Sequence, residues 1–189
     1  MRARRGAWKA RSMTDALRTL HTSSLTPAEL TDIRALLDGC FRGDLDDDDF
    51  DHLLGGMHTL VRDAEGRMVA HGSVIMRRVR HGDRFHRVGY VEAMAVREDR
   101  RREGLGSRVM DELEGIIDRA YDFGALSASA LGELLYRSRG WWAWPGRIEG
   151  IGPQGLVHLP DEEGTVLVRG AVPGDRGALA FDWRDGDVL

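Results

Sequence analysis

Apolar positions along this chain recur with two periods, and the switches between them mark its elements. Ala16–Ser23 reads as a first strand. Thr26-Pro27-Ala28-Glu29 is a helix start, with a capping residue, proline in the first position and an acid three residues after the cap. That helix runs to about Phe41, with Leu30, Ile33, Leu36 and Leu37 on one face. A second, short helix spans roughly Asp47–Leu54 and stops at Gly55-Gly56. Met57–Arg62 and Met68–Val79 read as strands joined by a turn over Asp63–Arg67, and His86–Val96 follows a turn at His81–Arg84. A long amphipathic helix from Ser107 to about Tyr121 leads to a short strand, Ala125–Ser129, and a helix from about Gly132 to Arg139. Ile148–Ile151, Thr165–Arg169 and Leu179–Trp183 are strand-like, separated by glycine and proline. The order β-α-α-β-β-β-α-β-α-β-β predicts an α/β (α+β) chain, a mixed central sheet flanked by helices.

Composition narrows this little. The 189 residues, 42% hydrophobic and 31% charged, suit one soluble domain over 14–189. Residues 1–13 are expected to form a disordered basic tail, with Arg2, Arg4, Arg5, Lys9 and Arg11 and no acid before Met13. The body is therefore more acidic than the formal net charge of −4, which disfavours nucleic acid and favours a cationic ligand. The N-terminus lacks the apolar stretch of a signal peptide and no run spans a bilayer, so the cytoplasm is the expected location, with no membrane partner. Cys40, the single cysteine, excludes a disulfide framework and reads as a small core residue beside Phe41.

The most specific motif is Arg101-Arg102-Glu103-Gly104-Leu105-Gly106-Ser107, placed between the Val91–Val96 strand and the long helix. A strand that ends in arginines and glycines and then opens a helix directs free N–H groups and a positive dipole end at one point, which suits a pyrophosphate. Gly104 and Gly106 permit close backbone approach, and Arg101 and Arg102 add charge. Val109 stands where a dinucleotide fingerprint needs its third glycine, and Lys9, the only lysine, excludes a Walker loop. The bland alternative is an arginine-rich surface turn. The R-x-x-G-x-G spacing resembles the acyl-CoA loop of the GCN5-related N-acetyltransferases (GNAT). The resemblance implies their fold, splayed between the strands near 86–96 and 125–129, with acetyl-CoA as co-substrate and no metal. Met94, Ala95 and Val96 would offer backbone donors to the thioester carbonyl and pantetheine arm.

Two side chains stand out as chemistry. Glu92 interrupts an otherwise apolar central strand, which is costly unless it faces a cleft or a partner. The alternative is a buried glutamate paired with an arginine. Tyr136 ends Leu134-Leu135-Tyr136 just before the helix stops, and core packing is its alternative. Acyl transfer to an amine needs a base for the amine and an acid for the departing thiolate. Glu92, directly or through water, fills the first need. Tyr136 fills the second, as the matching tyrosine does in the family.

Acidic residues form three clusters: Asp44 with Asp46–Asp49 and Asp51, Asp161–Glu163, and Asp182, Asp185 and Asp187. The first is not a calcium loop, because Asp49 and Gly55 replace the required glycine and glutamate. A single acidic run is usually a solvated face, but three beside an acyl-CoA loop favour an amine-rich substrate. The histidines show no metal-ligand spacing. Trp141, Trp142 and Trp144 read as core, with one a candidate wall of the cleft.

From about Leu17 onward the chain also resembles the mycobacterial aminoglycoside 2′-N-acetyltransferases. The matching segments are Gly43-Asp44, Leu54–His58, Gly89–Glu92, Ala93–Val96, Gly124–Ser127, Leu135–Trp141, Asp182–Arg184 and Gly186–Val188. That resemblance implies acetyl transfer to the 2′-amine by direct attack in a ternary complex, with the amine near Glu92. Asp44, Asp49, Ser127, Glu162 and Asp187 would line the antibiotic site, with the terminal carboxylate of Leu189. The family pattern closes on tryptophan where this chain has Leu189, so the carboxylate rather than a stacking ring is carried over. A homodimer is expected, although the residues themselves do not specify an assembly. Alternatives are acetylation of a protein N-terminus or a polyamine-like metabolite, or a non-enzymatic protein that sequesters cationic drugs or senses acyl-CoA.

Overall fold

Local signals set the first helix. In the computed structural model, which describes residues 15–172, 174 and 176–189, Thr26 accepts the Glu29 N–H and the Glu29 carboxylate accepts the Thr26 N–H. This capping box opens α1 (Pro27–Phe41), which ends at Arg42 in a left-handed conformation. Ile33, Leu36 and Leu37 pack with Leu53, Leu60, Met68 and Ala95. A second capping box, Asp46 with Asp49, opens α2 (Asp47–His52). The tail expected over 1–13 lies outside the described residues.

The strands are β1 (Ala16–His21), β2 (Met57–Arg62), β3 (Met68–His81) and β4 (Arg84–Val96), followed by α3 (Leu105–Ala120), β5 (Phe123–Ser127) and α4 (Glu133–Ser138). Then come β6 (Trp142–Ala143), β7 (Ile148–Gly152), β8 (Gly155–His158), β9 (Val166–Arg169) and β10 (Leu179–Asp182). All join one mixed sheet in the order β6-β9-β5-β4-β3-β10-β7-β8, and β2 with β1 also lies along the edge of β3. β6 and β8 escaped the periodicity reading: β6 has two residues, and β8 is exposed throughout and pairs only with β7. The long helix begins at Leu105 rather than Ser107, directly on the glycine turn.

Two departures from a regular sheet build the cleft. β4 and β5 run parallel and pair only at Val88–Tyr90 with Phe123–Ala125, so their later residues diverge. β4 also bulges, as its ladder to β3 passes from Ser73↔Glu92 to His71↔Ala95 and leaves Ala93 and Met94 opposite Gly72. α3 packs Val109, Met110, Leu113 and Ile117 into the core beside Trp141. Buried Glu114 on α3 accepts from Arg139 and from the Trp141 indole, which holds the end of α4 in place. Trp141 and Trp144 are core as expected, whereas Trp142 is exposed. Cys40 is half-buried rather than core, because it lies at the edge of the cleft.

Candidate active site

The glycine turn and the divergent end of β4 face each other across a cavity of about 460 Å³. Its walls include Met94, Ala95 and Val96 from β4, and Arg101, Arg102, Gly104, Leu105, Gly106 and Ser107 from the turn and α3. Gly104 is the N-cap of α3 at φ 81°, and no side chain among the described residues caps that end. The first N–H groups of α3 are left for a ligand. Gly106 sits in a tight space: a Cβ there would meet Leu135 Cδ2 at 3.2 Å and Met94 Cε at 3.3 Å, so both side chains would have to give by a few tenths of an ångström. These residues fit the pyrophosphate and pantetheine arm of CoA. Glu103 does not line the cavity, because its carboxylate accepts from Arg100 at 2.7 Å and Arg100 also pairs with Asp15.

A second cavity, of about 380 Å³, shares Phe41, Met94, Ser129 and Tyr136 with the first. The structure brings Glu92, Asp44, Asp49, Ser127 and Leu189 together around it. Glu162 stands one step behind, where its carboxylate accepts the Ser127 hydroxyl at 2.8 Å. Asp187 is exposed on the loop after β10 and is not among the lining residues. Several other acids have local duties: Asp46 caps α2, Asp47 pairs with Arg34 and Glu163 with His158. A larger cavity between α1 and the β2–β3 turn is lined by Asp32, Arg62, Arg67 and Arg97, whose charges pair with nearby partners.

Glu92 satisfies both of its sequence readings. It faces the cavity, and its Oε1 accepts from Arg184 Nη1 at 2.5 Å. Burial pushes its carboxyl above the ordinary carboxylate range, and the Arg184 charge pulls it part of the way back. Tyr136 belongs to the core cluster yet lines both cavities, and burial pushes its hydroxyl up to about 12. It remains protonated at neutral pH, as a proton donor must.

Three residues of this site were given no role by the sequence. Arg184 stacks over Tyr90, with its guanidinium carbon 5.7 Å from the ring centroid. Arg77, 1% exposed on β3, lies 5.2 Å from the Tyr90 ring and 5.3 Å from that of Phe181. Its Nε donates to Asp182 Oδ1 at 2.7 Å, Nη1 to the Val188 carbonyl at 2.6 Å, and Nη2 to the Asp182 carbonyl. His52 Nε2 donates to the Asp185 carbonyl at 2.7 Å. Together Arg77 and His52 hold residues 182–189 against β3 and α2 as one wall of the second cavity. In the sequence, Arg184 lies within the matching segment Asp182–Arg184, and the sign of Arg77 is its place among the arginines at 77, 78 and 80 in the β3 run.

A sheet that parts beside an uncapped, glycine-opened helix defines an acetyl-CoA-dependent acyltransferase. Residues 29–133 match the Acetyltransferase (GNAT) family, and the chain belongs to that family. It is similar to the aminoglycoside 2′-N-acetyltransferase of Mycolicibacterium fortuitum, with 40% identity over 177 residues covering 90% of each chain. Among solved structures it is similar to the GNAT family N-acetyltransferase YhbS of Escherichia coli in complex with CoA. That match has 18% identity and a TM-score of 0.65, and covers 88% of this chain and 89% of YhbS. Escherichia coli ElaA gives 21% identity and a TM-score of 0.58 over 83% of this chain and 100% of ElaA. These two structures speak for the fold alone.

Proposed function

We propose that this protein transfers an acetyl group from acetyl-CoA to the 2′-amino group of aminoglycoside antibiotics, with both substrates bound together. The observation that carries this reading is one continuous cleft. A carboxylate-lined cavity around Glu92 runs through Met94 and Tyr136 into the cavity at the glycine turn. The similarity to an aminoglycoside 2′-N-acetyltransferase names the substrate class.

When bound, acetyl-CoA supplies an activated acetyl group and a thiol leaving group. In this reading Arg101, Arg102 and the N–H groups from Gly104 to Ser107 hold its phosphates, and Met94–Val96 donate backbone N–H groups to the carbonyl oxygen as charge develops there. Glu92 takes the proton from the attacking amine, directly or through water. Its raised pKa makes it a better base than a solvated carboxylate. Tyr136 gives its hydroxyl proton to the departing sulfur. Asp44, Asp49 and Glu162, the last through Ser127, meet other ammonium groups of the antibiotic, and Asp187 attracts it at the rim. A cytoplasmic homodimer belongs to the same proposal, and sedimentation equilibrium reads the assembly.

Thiol release from acetyl-CoA across paired 2′-amino and 2′-hydroxyl aminoglycosides tests the reading. Turnover confined to the 2′-amino drugs, with the acetyl group located there by mass fragmentation, is expected. Acetylation on another ring, or equal turnover of both classes, defeats it.

A further inference from the structure

A line of polar side chains, Thr22, His58 and His71, runs behind the cleft to Ala93 in the wall of the second cavity, and none of the three lines either cavity. Thr22 Oγ1 lies 2.8 Å from His58 Nε2, His58 Nδ1 lies 3.1 Å from His71 Nε2, and His71 Nδ1 lies 3.0 Å from the Ala93 carbonyl oxygen. Both rings are 0% exposed. The direction between the two rings and Ala93 is forced. A carbonyl only accepts, so His71 carries its proton on Nδ1. A neutral ring then accepts at Nε2, so His58 donates from Nδ1 and accepts at its own Nε2 from the Thr22 hydroxyl. That hydroxyl accepts the Gly55 N–H at 2.9 Å, and its single proton has two acceptors within reach, His58 Nε2 at 2.8 Å and the Gly56 carbonyl at 3.1 Å, of which the ring nitrogen is the nearer. Burial lowers the ring pKa values, His58 to about 4 and His71 to about 3, so both stay neutral as the one-way line requires.

The end of the line is the point of interest. Ala93 sits in the β4 bulge at φ 49°, a left-handed conformation that is strained for a residue with a Cβ and persists only where its surroundings hold it. A bulge also withdraws backbone groups from the ladder, and a buried carbonyl needs another donor. His71 supplies it, and the next residues along β4 are Met94–Val96.

We propose that His71, held in one tautomer by His58 and Thr22, is a positioning residue that fixes the bulge so that the backbone donors of Met94–Val96 stay aimed at the thioester carbonyl. The inference rests on the acetyl-CoA site and not on the identity of the acceptor amine.

Three substitutions separate positioning from packing. His71→Leu keeps volume and removes the donor. His71→Asn places an amide N–H near the lost Nδ1, and His71→Gln places one near Nε2 instead. Losing one aimed donor in such a site typically costs about a hundredfold or more in kcat, so a displaced set should cost about tenfold. His71→Leu is expected to lower kcat by about that factor and to weaken acetyl-CoA severalfold relative to CoA in calorimetry, with the acceptor KM within about twofold. His71→Asn should stay near the parent, and His71→Gln should follow the leucine variant. A folded His71→Leu protein with the parent's kcat and acetyl-CoA-to-CoA affinity ratio overturns the proposal, as does equal rescue by Asn and Gln. Should the leucine variant fail to fold, nitrogen NMR of the parent decides. An Nδ1–H tautomer at both rings supports the line, and an Nε2–H tautomer at His71 refutes it. Unaltered variants in a protein that binds CoA defeat this proposal alone, whereas a parent that binds neither CoA nor acetyl-CoA defeats the cofactor site with it.

Discussion

Arg77→Met should weaken the amine side of the reaction and leave the acyl side nearly intact. Methionine retains an apolar stem between Tyr90 and Phe181 but supplies no donors, so the Asp182 and Val188 carbonyls lose their partners. An orphaned buried acceptor costs about 1–3 kcal/mol. Part of that cost is offset because a buried guanidinium charge, itself expensive to desolvate, is no longer present. The Asp182 carboxylate is 43% exposed and finds water, so its lost ion pair adds little. A net cost of about 2 kcal/mol remains. The chain relieves it by loosening residues 183–189 from β3 and α2, while Arg184 still pairs with Glu92 on β4 and Trp183 and Val188 still pack against Gly150 of β7. About 2 kcal/mol shifts the docked-to-loosened ratio about thirtyfold, which is the upper bound on the loss of apparent affinity for the aminoglycoside. Steady-state kinetics with each substrate varied should show the acceptor KM raised about ten- to thirtyfold and the acetyl-CoA KM within about twofold. Arg77→Lys should be intermediate, because one ammonium cannot point at three separated acceptors. A folded Arg77→Met enzyme with an unchanged acceptor KM, whatever its melting temperature, would falsify the claim that Arg77 builds the substrate wall.

Gly106→Val should raise the acetyl-CoA KM well above tenfold with little change for the drug, because its side chain enters the space between Leu135 and Met94. An unchanged acetyl-CoA KM in the folded variant would remove the turn from the cofactor site. Glu92 must be ionised to accept a proton, and Arg184 holds its pKa down against burial. Arg184→Met should therefore move the acid limb of kcat/KM to higher pH, and Glu92→Gln should abolish that limb with a loss of at least a hundredfold; an acid limb in the parent's position in both variants speaks against the assignment. His58 and His71 have folded pKa values of about 4 and about 3, below the ordinary 6.5. The unfolded chain binds their protons first as pH falls, so their stabilising contribution is complete above pH 6.5 and drains away toward pH 4 and below. His58 alone accounts for about 3 kcal/mol of that loss. Urea unfolding from pH 7 to pH 4.5 should show a flatter stability profile in a His58→Asn, His71→Asn double variant, and parallel profiles would count against buried neutral rings.

What the sequence determined by itself was local in character. The capping box at Thr26 and Glu29 needs residues three apart, and the glycine turn needs six consecutive ones, so both are written contiguously and their geometry follows from backbone chemistry. The strand-helix order and the faces of α1 and α3 follow from periodicity in the same way. Tertiary structure decided everything that depends on partners far apart in the chain. Arg184 reaches Glu92 across 92 positions and Arg77 reaches Asp182 across 105, and no spacing rule links such pairs. Glu92 could be read as a cleft carboxylate or as an arginine's partner, and only the folded chain reveals that it is both. The three-residue pairing of β4 with β5 is likewise invisible along the chain, because both strands continue in sequence past the point where they part. His58 and His71 look like isolated histidines in two apolar strands. Antiparallel register stacks them in one place, and their burial beside a carbonyl that the bulge has left without a ladder partner gives them a shared task.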